Sequence, residues 1–440
     1  MASTDTIAAV ATAPGQGGIG IVRVSGPLAA DIAGKVAGKC PRPRYAQYAA
    51  FRNAQGDTID QGIVLYFAAP DSFTGEEVVE FQGHGGPVVL DRLLQAILQH
   101  GARVARAGEF SERAFLNDKI DLLQAEAIAD LIAAESEQSA AAAVHSLQGD
   151  FSASINVLLD ELTQLRVHVE ATLDFPEEEI DFLADEAIVR QLRKVIGQVD
   201  DIRHSSRRGR LLNEGLRVVI TGKPNAGKSS LLNLLAGHDS AIVSDIPGTT
   251  RDVLRERIQI QGVPLHIVDT AGLREAGDAI EAEGVRRARE QIEQADIVLH
   301  VIDASQGHTD AAVQYANEIQ VLNKSDLLES RPVCAAHQVL LSAKTGEGKE
   351  ALHEIILQKA GYQPAAQNTG VFSARRRHLQ ALEATAQHLQ QAQHALLFEQ
   401  AGEVMAEELR LAQQALAQIT GAFSADDLLG KIFSEFCIGK

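Results

Sequence analysis

Gly222-Lys223-Pro224-Asn225-Ala226-Gly227-Lys228-Ser229 puts two glycines, a lysine and a hydroxyl into one loop, between the strand-like run Leu216 to Thr221 and a helix expected over Ser230 to Ala236. In that strand, loop, helix context the pattern is a phosphate cradle. Backbone amides reach phosphate oxygens only where no side chain intrudes, hence Gly222 and Gly227, and the helix N-terminus adds positive potential. Lys228 would reach the β and γ phosphates, and the Ser229 hydroxyl would ligate Mg²⁺. Downstream, Asp269-Thr270-Ala271-Gly272 ends the run Pro264 to Val268. A carboxylate there can hold a water of the Mg²⁺ shell, and Gly272 can offer an amide to the γ-phosphate. Between these two elements, Ser244-Asp245-Ile246-Pro247-Gly248-Thr249-Thr250 supplies a threonine to complete the Mg²⁺ shell.

The base is read further along. Asn323-Lys324-Ser325-Asp326 ends the apolar run Ile319 to Leu322. The Asp326 carboxylate can accept both N1–H and the exocyclic amine of guanine, whereas adenine would leave a buried acceptor unpaired. At roughly 1 to 3 kcal/mol for each unmet polar group, that penalty suffices for strong selection. Ser342-Ala343-Lys344 follows the run Gln338 to Leu341 and would close over the base with a backbone amide. The expected GTP contacts therefore comprise Asn225 to Ser230 in the loop (with Ala226), the segment Ser244 to Thr250, Asp269 to Gly272, Asn323 to Asp326 and Ser342 to Lys344. Many small GTPases orient the attacking water with a glutamine just after DxxG, but here Leu273 stands at that place. Arg274, Glu275 and Glu281 are the nearby candidates for positioning water, and a bound cation for meeting the developing charge.

These residues need a scaffold. From Leu216 to about Gly361, short β-branched runs separated by helices predict a doubly wound parallel sheet. Residues 5 to about 118 read as mixed α/β, with strands at Ile19 to Val24, Ile63 to Phe67 and Val78 to Phe81 and helices at Pro27 to Val36 and Pro87 to His100. Leu147, Phe151, Ile155, Leu158, Leu162, Leu165, Val169 and Leu173 recur at helical spacing. After the acidic loop Asp174 to Asp181 a second helix carries Ile188, Leu192, Val195, Val199 and Ile202 and ends in the basic run Arg203 to Arg210. A polar linker, Gln363 to Gly370, precedes another stripe at Met405, Leu409, Ala412, Leu416 and Ile419, so residues 371–440 are expected to pack back onto 119–210. The expected domains are 1–118, 119–210, 211–370 and 371–440, with the doubly wound α/β unit inserted into a helical domain.

Size and charge agree. At 440 residues the chain exceeds the roughly 250 to 300 residues at which one core stops growing. A net charge of −19 excludes coating nucleic acid by bulk electrostatics, so any RNA contact is local or shared with a partner. Cys40, Cys334 and Cys437 are odd in number and widely spaced, which offers no disulfide framework and fits a reduced cytosol. Neither a leader nor an apolar run of membrane-spanning length is read, so a cytoplasmic, unexported protein is expected.

With Gly222 to Ser229, Gly248-Thr249-Thr250-Arg251-Asp252, Asp269 to Glu275 and the terminal Cys437-Ile438-Gly439-Lys440 in view, the chain resembles the MnmE (TrmE) family of tRNA-modification GTPases. The likeness spans the whole length, including Asp5-Thr6-Ile7, Gly17 to Arg23 and Phe81-Gln82-Gly83-His84-Gly85-Gly86. It implies a dimerising folate-binding N-terminal domain, a helical domain and an inserted Ras-like G domain. It further implies a FAD- and NADH-dependent partner subunit, and aminomethyl or carboxymethylaminomethyl modification of the tRNA wobble uridine. By resemblance, K⁺ falls to Asn225, Ser244, Ile246 and Thr249, the general base acting through water to Glu281, and 5-formyl-tetrahydrofolate to Arg23, Glu80, Lys119 and Lys440. Cys437 is placed near the folate. Asp303 to Asn323 is shorter than the family pattern, in a place where guanine recognition should survive.

Other signals have plainer readings. Gly15 to Gly20 fits GxGxxG but precedes a strand, so it reads as a turn. Gly83 to Gly86 fits a KH-type GXXG without the basic residues, and reads as a strand-to-helix turn. Gly439 and Lys440 are poor in a prenylation box. Arg203 to Arg210 and Arg375 to Arg377 read as solvated helix ends before tRNA contacts. The resulting expectation is a potassium-dependent GTP hydrolase serving tRNA modification. A ribosome-assembly GTPase and a folate-dependent transferase with a regulatory nucleotide site are its rivals.

Overall fold

The computed structural model describes residues 5–174, 186–237, 255–269, 290–307, 313–362 and 371–421, and positions 432, 433, 436 and 439. The chain divides into two compact units, one of residues 1–129, 147–163 and 410–440, the other of residues 130–146 and 164–409.

The first unit is built on a six-stranded sheet of order β3-β4-β5-β2-β1-β6, from β1 (Ile7–Val10), β2 (Gly17–Ser25), β3 (Gln47–Arg52), β4 (Thr58–Phe67), β5 (Val78–Gly85) and β6 (Arg103–Val104). Neighbours are antiparallel except β1 and β6. Alternation buries one face: Val22, Val24, Val64, Val79, Phe81 and Phe51 pack with Ile32 and Val36 of α1 (Ala29–Ala37) and Leu93 and Ile97 of α2 (Pro87–Leu98). The run Gly15 to Gly20 is mostly strand rather than turn, since β2 begins at Gly17, while β5 passes at Gly85 into α2 as expected.

α3 (Glu109–Leu116) buries Phe110 and Ala114 and is pinned by ion pairs as well. Arg113, 4% exposed, bonds Asp5 at 2.8 Å, Glu76 at 3.0 Å and Glu109 at 3.1 Å. Burial pushes the Glu109 carboxyl up, but Arg103, the Arg106 amide and Arg113 outweigh that and bring it to about 2.

Helices α4 (Leu122–Ala133), α5 (Glu137–Leu147), α6 (Asp150–Asp174) and α7 (Glu186–Glu214) follow. One helix was expected to run from Leu147, but α5 stops there and Gly149, with φ of 93°, separates it from α6. Basic residues of α7 are paired within the helices: Arg203 reaches Asp200 at 3.2 Å and Glu383 at 3.5 Å, and Arg207 reaches Glu383 at 3.8 Å. Likewise Arg375 bonds Asp130 at 2.7 Å.

A second six-stranded sheet occupies the other unit, ordered β12-β11-β10-β7-β9-β8 from β7 (Leu216–Gly222), β8 (Arg255–Ile260), β9 (Val263–Asp269), β10 (Ile297–Asp303), β11 (Glu318–Asn323) and β12 (Gln338–Leu340). All pairs are parallel except the β8–β9 hairpin. Helices α8 (Lys228–Ala236) and α9 (Lys349–Lys359) bury Leu231, Leu352 and Ile356 against Val218, Ile267, Leu299 and Val321.

The connection from β10 to β11 departs from the expected strand and helix alternation. A parallel crossover is usually helical. Among the described residues between these strands there is only the 3-10 turn Ala304–Gln306. The strand face there is polar: His300, Gln320 and Gln338 lie in register across three strands. Glu318 bonds His300 at 3.1 Å and Gln320 at 3.2 Å, and Gln338 donates to Gln320 at 2.9 Å. These hydrogen bonds satisfy the polar groups that the strands bury there.

The chain returns through α10 (Arg376–His394), a π-helical segment Ala395–Glu399 and α11 (Gly402–Thr420). Packing of the last segment onto the earlier helices is seen within each unit: Gln413 donates to Thr163 at 2.9 Å, and the Ser373 amide to the Ala142 carbonyl at 3.1 Å.

Candidate functional site

At the carboxyl ends of β7, β11 and β12 the separated motifs meet. β7 runs out at Gly222, whose φ is 142° and where a Cβ would lie 2.3 Å from the Val301 carbonyl oxygen of β10. Asn225 takes a left-handed φ of 62° and Gly227 one of 98°, which turns the loop into the start of α8. A Cβ on Gly227 would stand 2.1 Å from Nδ2 of Asn323. This glycine is therefore required by packing between two motifs, as well as by approach to phosphate.

Asn323 is 2% exposed and belongs to β11. Its Nδ2 donates to the Ala226 carbonyl at 2.9 Å, and its Oδ1 accepts from the Ala343 amide at 3.0 Å. One side chain thereby joins the phosphate loop, the base-reading segment and the closing loop. Beyond it, Lys324 adopts a left-handed φ of 66°, and the Ser325 amide donates to the Leu341 carbonyl at 3.1 Å. Asp326 is exposed, and its Oδ1 accepts from the Ser342 hydroxyl at 2.7 Å. Ser342 is fully buried and also accepts from the Thr345 amide at 3.2 Å. The sequence reading gave this serine no task of its own; here it fixes the rotation of the carboxylate that would read guanine.

Asp303, by contrast, was missed as a site residue. It ends β10, in register with Asn323, and its carboxylate holds the Lys324 ammonium at 2.6 Å. Burial raises this carboxyl, but Lys324 and Ser305 hold it below the ordinary carboxylate range. The available signal was positional, an acid at the end of the strand beside NKxD. In the cradle itself, Lys228 Nζ donates to the carbonyls of Gly222 at 3.1 Å and Lys223 at 3.0 Å, so its ammonium lies at the loop mouth.

Register sets Asp269 opposite Ile220, which brings the backbone of DxxG to β7 two residues before the cradle. Ser229 is exposed at the first turn of α8. Such a hydroxyl, together with phosphate and water oxygens, suits Mg²⁺, a hard ion that keeps few protein ligands. Ser244, Asp245, Ile246, Pro247, Gly248, Thr249, Thr250, Thr270, Ala271, Gly272, Glu281, Cys437 and Lys440 lie outside the described residues.

In the first unit, Arg23 bonds Glu80 at 2.9 Å, and its guanidinium lies 5.7 Å from the ring centres of both Phe73 and Phe110. Lys119 lies beside the same loop, since a Cβ on Gly75 would come within 3.2 Å of its Cγ. An arginine held between two rings, a half-buried carboxylate and a nearby lysine fit a flat heteroaromatic ligand with an anionic tail. Gly439 passes close to β1, where its Cβ would meet the Val10 carbonyl oxygen at 2.3 Å.

A parallel sheet with this strand order, a glycine-bounded cradle after its first strand and an asparagine joining it to an Asp-bearing base reader define a P-loop GTPase. Residues 6–119 match the family model described as the GTP-binding protein TrmE N-terminus, and residues 122–437 that of the MnmE helical domain. Proteins named tRNA modification GTPase MnmE are similar over their full length and that of this chain: one from Erwinia tasmaniensis is 58% identical and one from Proteus mirabilis 56%. The chain belongs to the MnmE (TrmE) family of tRNA modification GTPases. The Erwinia alignment runs over 456 positions against 440 residues here, so that relative has residues this chain lacks. Likeness to a solved G domain, that of the T. maritima FeoB iron transporter, is slight: 23% identity over 33% of this chain and 98% of that one, with a TM-score of 0.25.

Proposed function

We propose that the chain hydrolyses GTP to GDP and phosphate, and that this cycle drives modification of the tRNA wobble uridine with a FAD- and NADH-dependent partner subunit. The observation that carries the nucleotide part is the Asn323 bridge, which holds the phosphate cradle and the guanine-reading segment at one sheet edge. The tRNA part rests on family membership over the whole chain, which also sets the ribosome-assembly reading aside.

In this reading Lys228 swings from the loop carbonyls onto the β and γ phosphates, exchanging neutral acceptors for charged ones. Backbone amides of Asn225 to Ser230 hold the remaining phosphate oxygens, Asp326 accepts from guanine, and the Ala343 amide meets the base. Ser229 and Thr250 hold Mg²⁺, which neutralises phosphate charge. Asn225, Ser244, Ile246 and Thr249 hold K⁺, which supplies the positive charge given elsewhere by an arginine. Glu281 orients the attacking water. Arg23, Glu80, Lys119 and Lys440 hold 5-formyl-tetrahydrofolate or a related folate, with Cys437 beside it.

The proposed domains are residues 1–118 for folate binding and homodimerisation, 119–210 and 371–440 for the helical domain, and 211–370 for the G domain. Among the described residues no helix is long and apolar enough to cross a membrane. A cytoplasmic place follows from work on tRNA. The deciding experiment pairs phosphate release from GTP by the purified chain with mass spectrometry of wobble nucleosides in a deletion strain. Wild-type levels of the modified uridine in that strain would reject the tRNA assignment.

A further inference from the structure

The β8–β9 hairpin has a duty beyond forming the sheet edge. β8 leads out of the segment carrying Ser244 to Thr250, and β9 ends on Asp269, so one hairpin joins both chain segments expected around the metal and the γ-phosphate. Among the described residues, β8 is an edge strand and pairs only with β9. The hairpin turn is tight: Gln261 and Gly262 both have positive φ, 49° and 82°, between the paired Ile260 and Val263.

That turn is grasped by the junction of α4 and α5. The Ser136 hydroxyl donates to the Gly262 carbonyl at 2.8 Å, and the Gln259 side-chain amide donates to the Glu135 carbonyl. Ser136 is itself locked, because its Oγ accepts from the Ser139 amide at 3.0 Å while the Ser139 hydroxyl accepts from the Ser136 amide at 3.0 Å. Both serines are buried, at 9% and 5% exposure. Gly262 faces Gln138 so closely that a Cβ would stand 2.5 Å from its Cδ. Residues 130–146 accordingly form one compact unit with the nucleotide-binding sheet.

We infer that Ser136 is a positioning residue for GTP hydrolysis: by holding Gly262, with Gln138 as the backstop, it fixes how far β9 extends along β7. This rests on the GTPase reading above. A hairpin free to slide would carry Asp269 out of its place opposite Ile220 without disturbing the cradle or the Asn323 bridge. The role therefore affects turnover more than nucleotide affinity.

Ser136→Asp separates this role from simple capping of α5. A carboxylate still accepts from the Ser139 amide, but it cannot donate to the Gly262 carbonyl and repels it. The expected result in the full-length protein is a kcat for GTP lowered about tenfold, with the affinity for fluorescent GDP within about twofold of wild type. Ser136→Thr, which keeps both bonds, restores kcat. Independently, Gly262→Ala, strained at a φ of 82° and pressed on Gln138, slows turnover, and adding Gln138→Ala recovers the part of the loss that comes from the contact. Equal kcat in wild type and Ser136→Asp, or a double variant no faster than Gly262→Ala, overturns the inference. Absence of GTP hydrolysis by the wild type would instead overturn the GTPase reading.

Discussion

The Asn323 side-chain amide donates to the Ala226 carbonyl across 2.9 Å, and 97 residues of chain close into one site through that bond. Both groups are buried, and Asn323 has a second bond to the Ala343 amide. Asn323→Ala leaves a buried carbonyl and an amide unpaired, at roughly 1 to 3 kcal/mol each. GDP affinity is expected to fall at least tenfold, with a lower melting temperature. Calorimetric titration and thermal denaturation check this, and unchanged affinity would show that the bridge does not organise the site.

Asp326 is aimed by the Ser342 hydroxyl at 2.7 Å. Replacing Asp326 with Asn exchanges a double acceptor for one donor and one acceptor, matching the carbonyl that xanthine presents in place of the guanine amine. Competition binding should show preference moving from GTP to xanthosine triphosphate. Retained GTP affinity would mean that the base is read elsewhere. Ser342→Ala should weaken GTP binding by the cost of one lost bond to a charged group, about 1.5 to 3 kcal/mol at most.

Sequence revealed the nucleotide site well because its parts are backbone devices, and backbone devices need particular residues. Gly222 and Gly227 are read from residue type, as are the strands that end in Asp269 and Asn323, whereas the left-handed turn at Lys324 is not. Asp303 and Ser342 were harder, because their tasks depend on which strands become neighbours and no local pattern records strand order. The strands β1 and β3 were missed for a related reason: Ile7–Val10 is too short for a period, and Gln47–Arg52 buries only Phe51 fully. The break between α5 and α6 went unread because Leu147 keeps the helical spacing across Gly149.

Asn225 lies in the loop with a left-handed φ of 62° and is exposed. If it is a K⁺ ligand, replacing potassium by sodium in the assay should slow GTP hydrolysis at least tenfold, because the smaller ion cannot span the same oxygens. Asn225→Ala should remove most of that dependence. Equal rates in the two salts reject the cation assignment.

The end of the chain can be tested apart from hydrolysis. Gly439 packs against Val10, in the unit that holds Arg23 and Glu80. Cys437→Ser is expected to impair wobble modification in cells while GTP turnover stays within about twofold of wild type, since a hydroxyl is a far weaker nucleophile than a thiolate. Nucleoside analysis of tRNA reads the first effect and phosphate release the second. Normal modification would leave this thiol without a function.

Glu109 gives the N-terminal unit a defined acid sensitivity. Its carboxylate, 2% exposed, accepts from Arg103, the Arg106 amide and Arg113, and these bonds hold it at about 2 against an ordinary value of 4.5. A carboxyl whose folded value is depressed stabilises the fold fully above its unfolded value, and the contribution disappears as pH falls from about 4.5 toward 2. Discounted for the partly exposed Arg103, it is on the order of 2 to 3 kcal/mol. Glu109→Gln should therefore lower the melting temperature clearly at pH 7. The gap to wild type should shrink steadily below pH 4.5, because acid converts the wild-type carboxylate into a neutral group like that of the variant. Arg103 contributes most to the effect, and Arg113 less, since Glu76 and Asp5 share its guanidinium and partly compensate when Glu109 is lost. A gap that stays constant between pH 7 and pH 3 would mean that Glu109 holds α3 by packing rather than by charge.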